Sequence, residues 1–393
     1  MTIFYGENPS LSSYKSIKNG QSLGIFTKTH VMPTQQGFQR VHDFILQDQS
    51  AKLLPKERVI YCLKNRIDKT KLRDVKYNEV RKKAHWSNVQ RCGAVWICPV
   101  CAKQITEKRR NELQLGLKKW RTFGNFVYLL TLTFSHSVDH PLKFLLAGQR
   151  KALKKFYETT KVQAIFKRIG VEFKVKALEV TYGQNGWHPH NHILLLSKKD
   201  LGISLFCDVE QELSQLWIKA CVSSGLNAPS MKYGLDLRDG SYAEKYVSKW
   251  GLEQEMTKGH LKKGRNGSFT PFDLLQLSID DQIISNRKSS KLWQEFGISI
   301  KGARQLEWGR GLKKFLDIED KTDEELAEET EKESITLRTV DNYIFSLLCH
   351  YQKRHDFLRA LEEDWSSGCF GSGTAEKLLI DILEEDLKRL NAA

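Results

Sequence analysis

Three histidines alternate with other residues in the segment GWHPHNHILLL, Gly186–Leu196, and four apolar residues follow directly. Period two is the spacing of a β-strand, so His188, His190 and His192 point to one face. That pattern suits either a wet edge strand or a metal site. The stretch before it decides what can join them. EFKVKALEVTY (172–182) alternates as a strand, and GQNG (183–186) carries a hairpin turn signal. A four-residue turn that pairs Tyr182 with Trp187 sets Glu179 opposite His190. Directly opposed residues have Cβ atoms about 5.5 Å apart or less. One strand face then gathers Glu179, His190 and His192, two imidazoles and a carboxylate. That set suits a divalent cation such as Mg²⁺, Mn²⁺ or Zn²⁺ with positions left open for substrate. His188 shares the face but lies further out, beside Pro189, and is the weaker candidate.

A second group lies in SYAEKYVSKW (241–250). At helical spacing Tyr242 and Tyr246 share one face, and Lys245 and Lys249 share the next. In isolation two such tyrosines are core or surface filler. Near a metal-bound phosphate a phenol is a nucleophile, but its pKa near 10 calls for help from a cation. A third group is cysteine-based. Cys92, Cys98 and Cys101 sit in CGAVWICPVC, with Cys62 and His85 upstream. In a reduced compartment this spacing favours structural Zn²⁺ held by Cys62, Cys92, Cys98 and Cys101, with a buried thiol cluster as the alternative. Cys207, Cys221, Cys349 and Cys369 are scattered.

The elements that must position these groups are legible in order. NFVYLLTLTF (125–134) reads as a buried strand, and residues 141–170 read as one helix ending at Gly170. The hairpin 172–197 follows. Residues 208–225 form an amphipathic helix with Asp208 as N-cap, 231–239 alternate as a strand, and 241–256 form a helix capped by Ser241. The order β-α-β-β-α-β-α is an α+β, ferredoxin- or RRM-like split βαβ arrangement, with a central antiparallel sheet and helices on one face.

The chain has 393 residues, 40% hydrophobic and 10% aromatic, with a net charge of +15. From Asp317 to Ala393 there are 9 Lys/Arg against 20 Asp/Glu, a net −11, which leaves +26 on residues 1–316. A basic body of that size favours a polyanion, most often nucleic acid. Trp86, Trp96, Trp250 and Trp308, set among basic residues, are candidates for stacking on bases or for core packing. No apolar run reaches the ~18–20 residues of a membrane span, no secretory apolar region opens the chain, and no GxxxxGK[ST] is present. A cytosolic protein without a helicase motor of its own is expected, with no membrane partner. Five regions are expected: a flexible leader over 1–50, a basic Cys-rich region over 51–118, a catalytic domain over 119–256, a basic extension over 257–316, and an acidic, mostly helical tail over 317–393.

LLTLTFSH (129–136), WHPHNHILLL (187–196) and SYAEKYVSKW (241–250), in that order, resemble the three motifs of HUH endonucleases. More closely, the chain resembles rolling-circle replication initiators of small bacterial plasmids and single-stranded DNA phages. The similarity runs over roughly residues 90–315 and includes the cysteine cluster, TPFDLL (270–275) and KGARQLEWGRGLKKF (301–315). It implies the HUH fold, His190 and His192 as ligands of catalytic Mg²⁺ or Mn²⁺, and Tyr246 as the nicking residue. Glu179 enters as third ligand from spacing. Lys245 or Lys249 would offset developing charge or contact a phosphate.

Tyr242 stands where many plasmid relatives carry a glutamate, as in phage proteins whose paired tyrosines alternate. Asn191 stands where a bulky apolar residue is usual. The implied activity is nicking and rejoining of one strand of origin DNA through a 5′-phosphotyrosine, leaving a 3′-OH primer. Single- and double-stranded origin DNA, a host helicase and a host polymerase are the implied partners, in a bacterial cytoplasm. Two other readings stand beside it: a paired-tyrosine HUH transposase, and a non-catalytic origin-binding or repressor protein.

Overall fold

The computed structural model describes residues 35–79, 82–249, 268–328, 334–369 and 373–392. The leader's first 34 residues, Trp250 and the end of the expected helix, and parts of the basic extension and the acidic run lie outside the described residues. The chain divides into two compact units. One consists of Gln49–Pro55 with Gly93–Ala327, and the other of Met1–Asp48, Lys56–Cys92 and Glu328–Ala393.

The first unit is built on a five-stranded sheet. Among its elements are α1 (Pro99–Thr122), β1 (Phe126–Leu132), α2 (Leu142–Glu158), α3 (Thr160–Arg168), β2 (Val171–Gly183), β3 (Gly186–Ser197), α4 (Ile203–Val222), β4 (Leu235–Arg238), α5 (Gly240–Lys249) and β5 (Leu306–Trp308). The strand order is β4-β1-β3-β2-β5, and every neighbouring pair is antiparallel. β3 therefore sits between β1 and β2, the split arrangement expected from the motif order.

The single helix expected over 141–170 is two helices. Thr159 is extended (φ −66°, ψ 123°) and ends α2 while it starts α3, with its hydroxyl bonded back to the Lys155 carbonyl. Two expected caps also differ. α4 begins at Ile203 after Gly202, so Asp208 lies inside it. The start of α5 is held by Asp239, whose Oδ1 accepts the Ser241 amide and hydroxyl at 2.8 and 2.7 Å.

Helices cover both faces of the sheet, where one covered face was expected. On the first face Val127, Leu129, Val175, Leu194 and Leu196 pack with Leu113, Leu117 and Trp120 of α1 and with Ala243 and Val247 of α5. Ile193 and Leu195 point the other way and are equally buried, beneath α2, which packs on β3 and α4. The unbroken apolar runs FVYLL and ILLL are what two-sided burial requires. Each such side chain contributes roughly 1.5–3 kcal/mol when fully buried. The fifth strand and Leu312, Leu316 and Ile318 belong to the same core, so the stretch expected to be a basic extension is partly core of this unit.

In the second unit a strand from the acidic tail, Ser334–Val340, pairs antiparallel with Arg73–Asn78, which pairs in turn with Lys83–Ser87. The helix expected near 338–363 is that strand followed by two helices, Asn342–His350 and Arg354–Ser367. Asp341 caps the first of these by accepting the Ile344 amide at 2.9 Å. Gln35–Leu53, whose residues from Gln49 belong to the first unit, is a helix too, within a stretch expected to be a loose leader. Its polar Gln47 and Ser50 are fully buried beside Leu46, which is why composition hid its inner face.

Trp86 is core, with ring centroids 5.0 Å from Phe345 and 6.0 Å from Phe357. Trp96 donates to the Ala303 carbonyl, and Trp308 packs against the first unit's core. Among the described residues no helix is long and apolar enough to cross a membrane.

Candidate active site

The hairpin has the register that the turn residues imply. Glu179 is opposite His190, Tyr182 opposite Trp187, and Gly183 opposite Gly186. Gly186 has φ +83°, and a Cβ there would meet the Val138 backbone at 2.7 Å, so the turn needs glycine at that position. β1 completes the face by setting Thr131 opposite His192.

Glu179, His190 and His192 form one group, with one ligand atom from each within 4.8 Å of the others. Glu179 Oε2 lies 3.2 Å from His190 Nε2 and 3.4 Å from His192 Nε2. Its other oxygen, Oε1, accepts a hydrogen bond from the Tyr246 hydroxyl at 2.9 Å. The Tyr246 ring lies 4.5 Å from the His192 ring. α5 brings the phenol there because Ala243 and Val247, one turn apart, are buried against the sheet. Arg121 of α1 pairs with Glu244 and donates to the Gly240 carbonyl, which fastens the helix start.

The hydrogen bonding behind the rings fixes their orientation. His192 Nδ1 is 3.0 Å from Thr131 Oγ1. His190 Nδ1 is 3.3 Å from the His188 carbonyl, which can only accept, so Nδ1 carries the hydrogen. In a neutral ring Nε2 then presents a lone pair to a carboxylate oxygen. Two lone pairs face to face call for a proton or a cation between them, which is the donor chemistry a divalent metal satisfies. Burial opposes ionisation of Glu179, yet the charge and hydrogen bonds of His192 and His190 outweigh it and hold the carboxyl well below its usual range.

His188 stands outside this group. Its ring is stacked 4.8 Å from His136 and lies 5.0 Å from His190. Burial, then the neighbouring His190, His136 and His192, push it down to about 3, so it is neutral.

Tyr242 is not brought into the hydrogen-bonded group. It is about half exposed, with Arg238 and Lys245 each 5.2 Å from its ring centroid. Lys249 ends α5, and its side chain lies outside the described residues. Asn191 points to the opposite face, where it is buried between Leu132 and Leu178 and its Nδ2 has no partner among the described residues. Sequence reasoning missed Thr131. The alternation of β1 was the available signal, since it puts Thr131 on the His192 face.

The cysteines Cys62, Cys92, Cys98 and Cys101 are all buried, and their sulfurs lie within 4.8 Å of one another. Tetrahedral zinc with Zn–S bonds near 2.3 Å sets sulfurs about 3.8 Å apart, so the donor set and spacing fit that ion. His85 is not a member of the group.

Residues 83–223 match the model of a family described as replication protein. That span holds Cys92, Cys98, Cys101, Glu179, His190 and His192, and ends before Tyr242 and Tyr246. The chain is 26% identical over 295 residues to "Protein rep" of Streptomyces lividans, a match that covers 59% of this chain and 64% of that protein. It is 30% identical over 131 residues to the "Neomycin resistance protein" of Streptomyces cyanogenus, covering 27% of this chain and 30% of that one. The chain thus spans less than two thirds of the length of either relative. These matches support the resemblance to replication proteins read from the sequence. No solved structure matches.

Proposed function

We propose that this chain is a rolling-circle replication initiator with an HUH site, a nickase and strand transferase that acts on single-stranded DNA at an origin. The observation that carries the reading is the shared carboxylate. Glu179 meets both histidine Nε2 atoms with one oxygen and accepts the Tyr246 hydroxyl at 2.9 Å with the other. A nucleophile and a metal-binding group are thus held against each other by a single side chain.

Glu179, His190 and His192 would hold Mg²⁺ or Mn²⁺, and the ion, when bound, would polarise the scissile phosphate. Glu179 Oε1 orients the phenol, accepts its proton along that hydrogen bond and passes it on to water. The Tyr246 oxygen attacks phosphorus in line and the P–O3′ bond breaks. The leaving oxygen keeps the electron pair and takes a proton from water. The products are a 5′-phosphotyrosine and a free 3′-OH. The ester conserves the bond energy, so a later hydroxyl attack rejoins the strand without ATP. Tyr242, one turn away, is the candidate second nucleophile. Lys245, at the ring of Tyr242, is a phosphate contact, and Lys249 is a candidate for the same role. A host helicase and polymerase would act on the opened duplex. The four cysteines would hold one structural Zn²⁺.

The test is incubation with labelled single-stranded origin DNA and Mg²⁺ or Mn²⁺, followed by denaturing gels. A covalent adduct carrying the DNA 3′ of the nick, absent in Tyr246→Phe, is expected. An adduct that survives each single Tyr→Phe change but not the double means alternating tyrosines. No adduct with any metal, while DNA binding is intact, overturns the reading in favour of a non-catalytic binder.

A further inference from the structure

A cavity of about 1220 Å³ opens in the first unit beside the sheet that carries the candidate site. One wall is β5, whose Leu306 is opposite Ala177 of β2, two residues from Glu179. At about 3.3 Å per residue the wall begins roughly 7 Å along the strand from the carboxylate. The Gln305 carbonyl accepts the Leu178 amide at 2.9 Å, so wall and site are joined through the sheet. Val175, Leu306 and Trp308 pack into the core on the Glu179 side of the sheet, so the cavity shares the site's face.

Six cations and six carboxylates line the cavity, and not all of the cations are paired. Arg304, Arg310 and Lys314 are exposed and, among the described residues, make no ion pair within 4 Å. Lys313, at the end of the wall in the helical turn α6 (Leu312–Phe315), and Arg109 of α1 are largely buried beneath it. Both share Glu112, which lies 3.4 Å from Lys313 Nζ and 3.0 Å from Arg109. That leaves one positive charge over.

The opposite wall is the chain's own acidic segment. It turns back at Asp317, which has φ +49° and whose carbonyl accepts Lys119 Nζ at 2.8 Å. Asp320 then reaches Lys313 at 2.9 Å and Asp323 reaches Arg109 at 3.0 Å. The Asp320 side chain is 84% exposed, so its pair with Lys313 is made at the surface, where ion pairs are weak and screened by salt. Arg304 and Arg109 also help hold the Asp320 carboxyl below its usual range, after Lys313.

Carboxylates spaced along a chain, laid on buried cations beside exposed and unpaired ones, occupy the position a phosphate backbone would take. We infer that this cavity is a binding cleft for the sugar-phosphate backbone of single-stranded DNA, and that residues 317–323 are an acidic strap competing for it. The inference rests on the DNA reading above and extends it. The strand leaving the Tyr246 site runs along β5, its phosphates meet Arg304, Arg310 and Lys314, and the strap's Asp320 and Asp323 give up Lys313 and Arg109 to it. The strap makes entry sensitive to the number of phosphates offered, since a short anion cannot replace two carboxylates at once.

The test measures single-stranded oligonucleotide binding to the full chain by fluorescence anisotropy across a salt series, with nicking followed in parallel. Asp320→Asn/Asp323→Asn removes the competing charge at constant size and is expected to tighten binding about tenfold at low salt. Arg310→Ala/Lys314→Ala is expected to weaken binding about tenfold and to flatten the log–log salt slope by about 1.4, at ~0.7 for each phosphate no longer neutralised. Unchanged affinity in both variants, with nicking intact, overturns the cleft while sparing the functional reading. Binding that responds as stated in a chain that never nicks sinks the nickase and leaves the cleft. Should the double Asp variant melt early, the exposed Asp320→Asn alone decides, with a gain of about threefold expected and no gain counting against the strap.

Discussion

The molecule holds two candidate metal groups of opposite character. Glu179, His190 and His192 are partly exposed, offer oxygen and nitrogen donors, and meet the hydroxyl of Tyr246, whose ring packs against the core. Cys62, Cys92, Cys98 and Cys101 are buried throughout and offer sulfur alone. A three-ligand group with an open side leaves room for substrate, whereas four sulfurs close a tetrahedron and leave none. Exposure and donor softness therefore suit the two groups to different work: chemistry for the first, stability for the second. Each assignment breaks in a different experiment.

The largest effect belongs to the open group. His190→Ala/His192→Ala removes two of the three candidate ligands, and several kcal/mol of transition-state stabilisation corresponds to about a thousandfold or more in nicking rate. DNA binding and the melting temperature are expected to stay close to wild type, because neither ring belongs to the apolar cluster beneath the sheet. Loss of binding together with cleavage would mean that the histidines hold the fold, and the contrast with the cysteines would collapse.

The closed group should behave the other way. Elemental analysis of the purified chain is expected to give about one tightly held zinc. Cys98→Ser/Cys101→Ser is expected to lose the ion and several kcal/mol of stability, read from a denaturant midpoint, because the binding free energy of a structural metal is folding free energy. Chelation that strips zinc without moving the melting transition would remove the structural role.

The same contrast separates what the sequence discloses from what it hides. The hairpin site is local: Glu179 and His190 are joined by a turn, so a turn signal and period-two alternation were enough to pair them. The cysteine spacing was legible for the same reason. Tyr246 needed one further step, the return of α5 onto the sheet, and the motif order supplied it. What stayed hidden is non-local. Nothing in SITLRTV says that Ser334–Val340 pairs with Arg73–Asn78 across more than 250 residues. Nor does LEW announce Leu306–Trp308 as the fifth strand beside β2. Thr159 splitting a helix turned on the conformation of one residue inside an otherwise periodic pattern. The burial of Gln47 and Ser50 defeated a reading based on composition.

The smallest expected effect is the most discriminating. Thr131→Val keeps volume and β-branching and deletes only the oxygen 3.0 Å from His192 Nδ1. If that oxygen orients the ring, metal affinity is expected to fall about 10- to 100-fold, as for other partners behind metal-bound histidines. The loss should appear as a rise in the Mn²⁺ concentration needed for half-maximal nicking, with the rate at saturating Mn²⁺ little changed. Thr131→Ser restores the hydroxyl and should recover most of the affinity, which a packing defect would not permit. A fall in saturated rate with no shift in metal dependence would move Thr131 from holding the ligand to holding the strand, and His192 would then owe its position to the sheet alone.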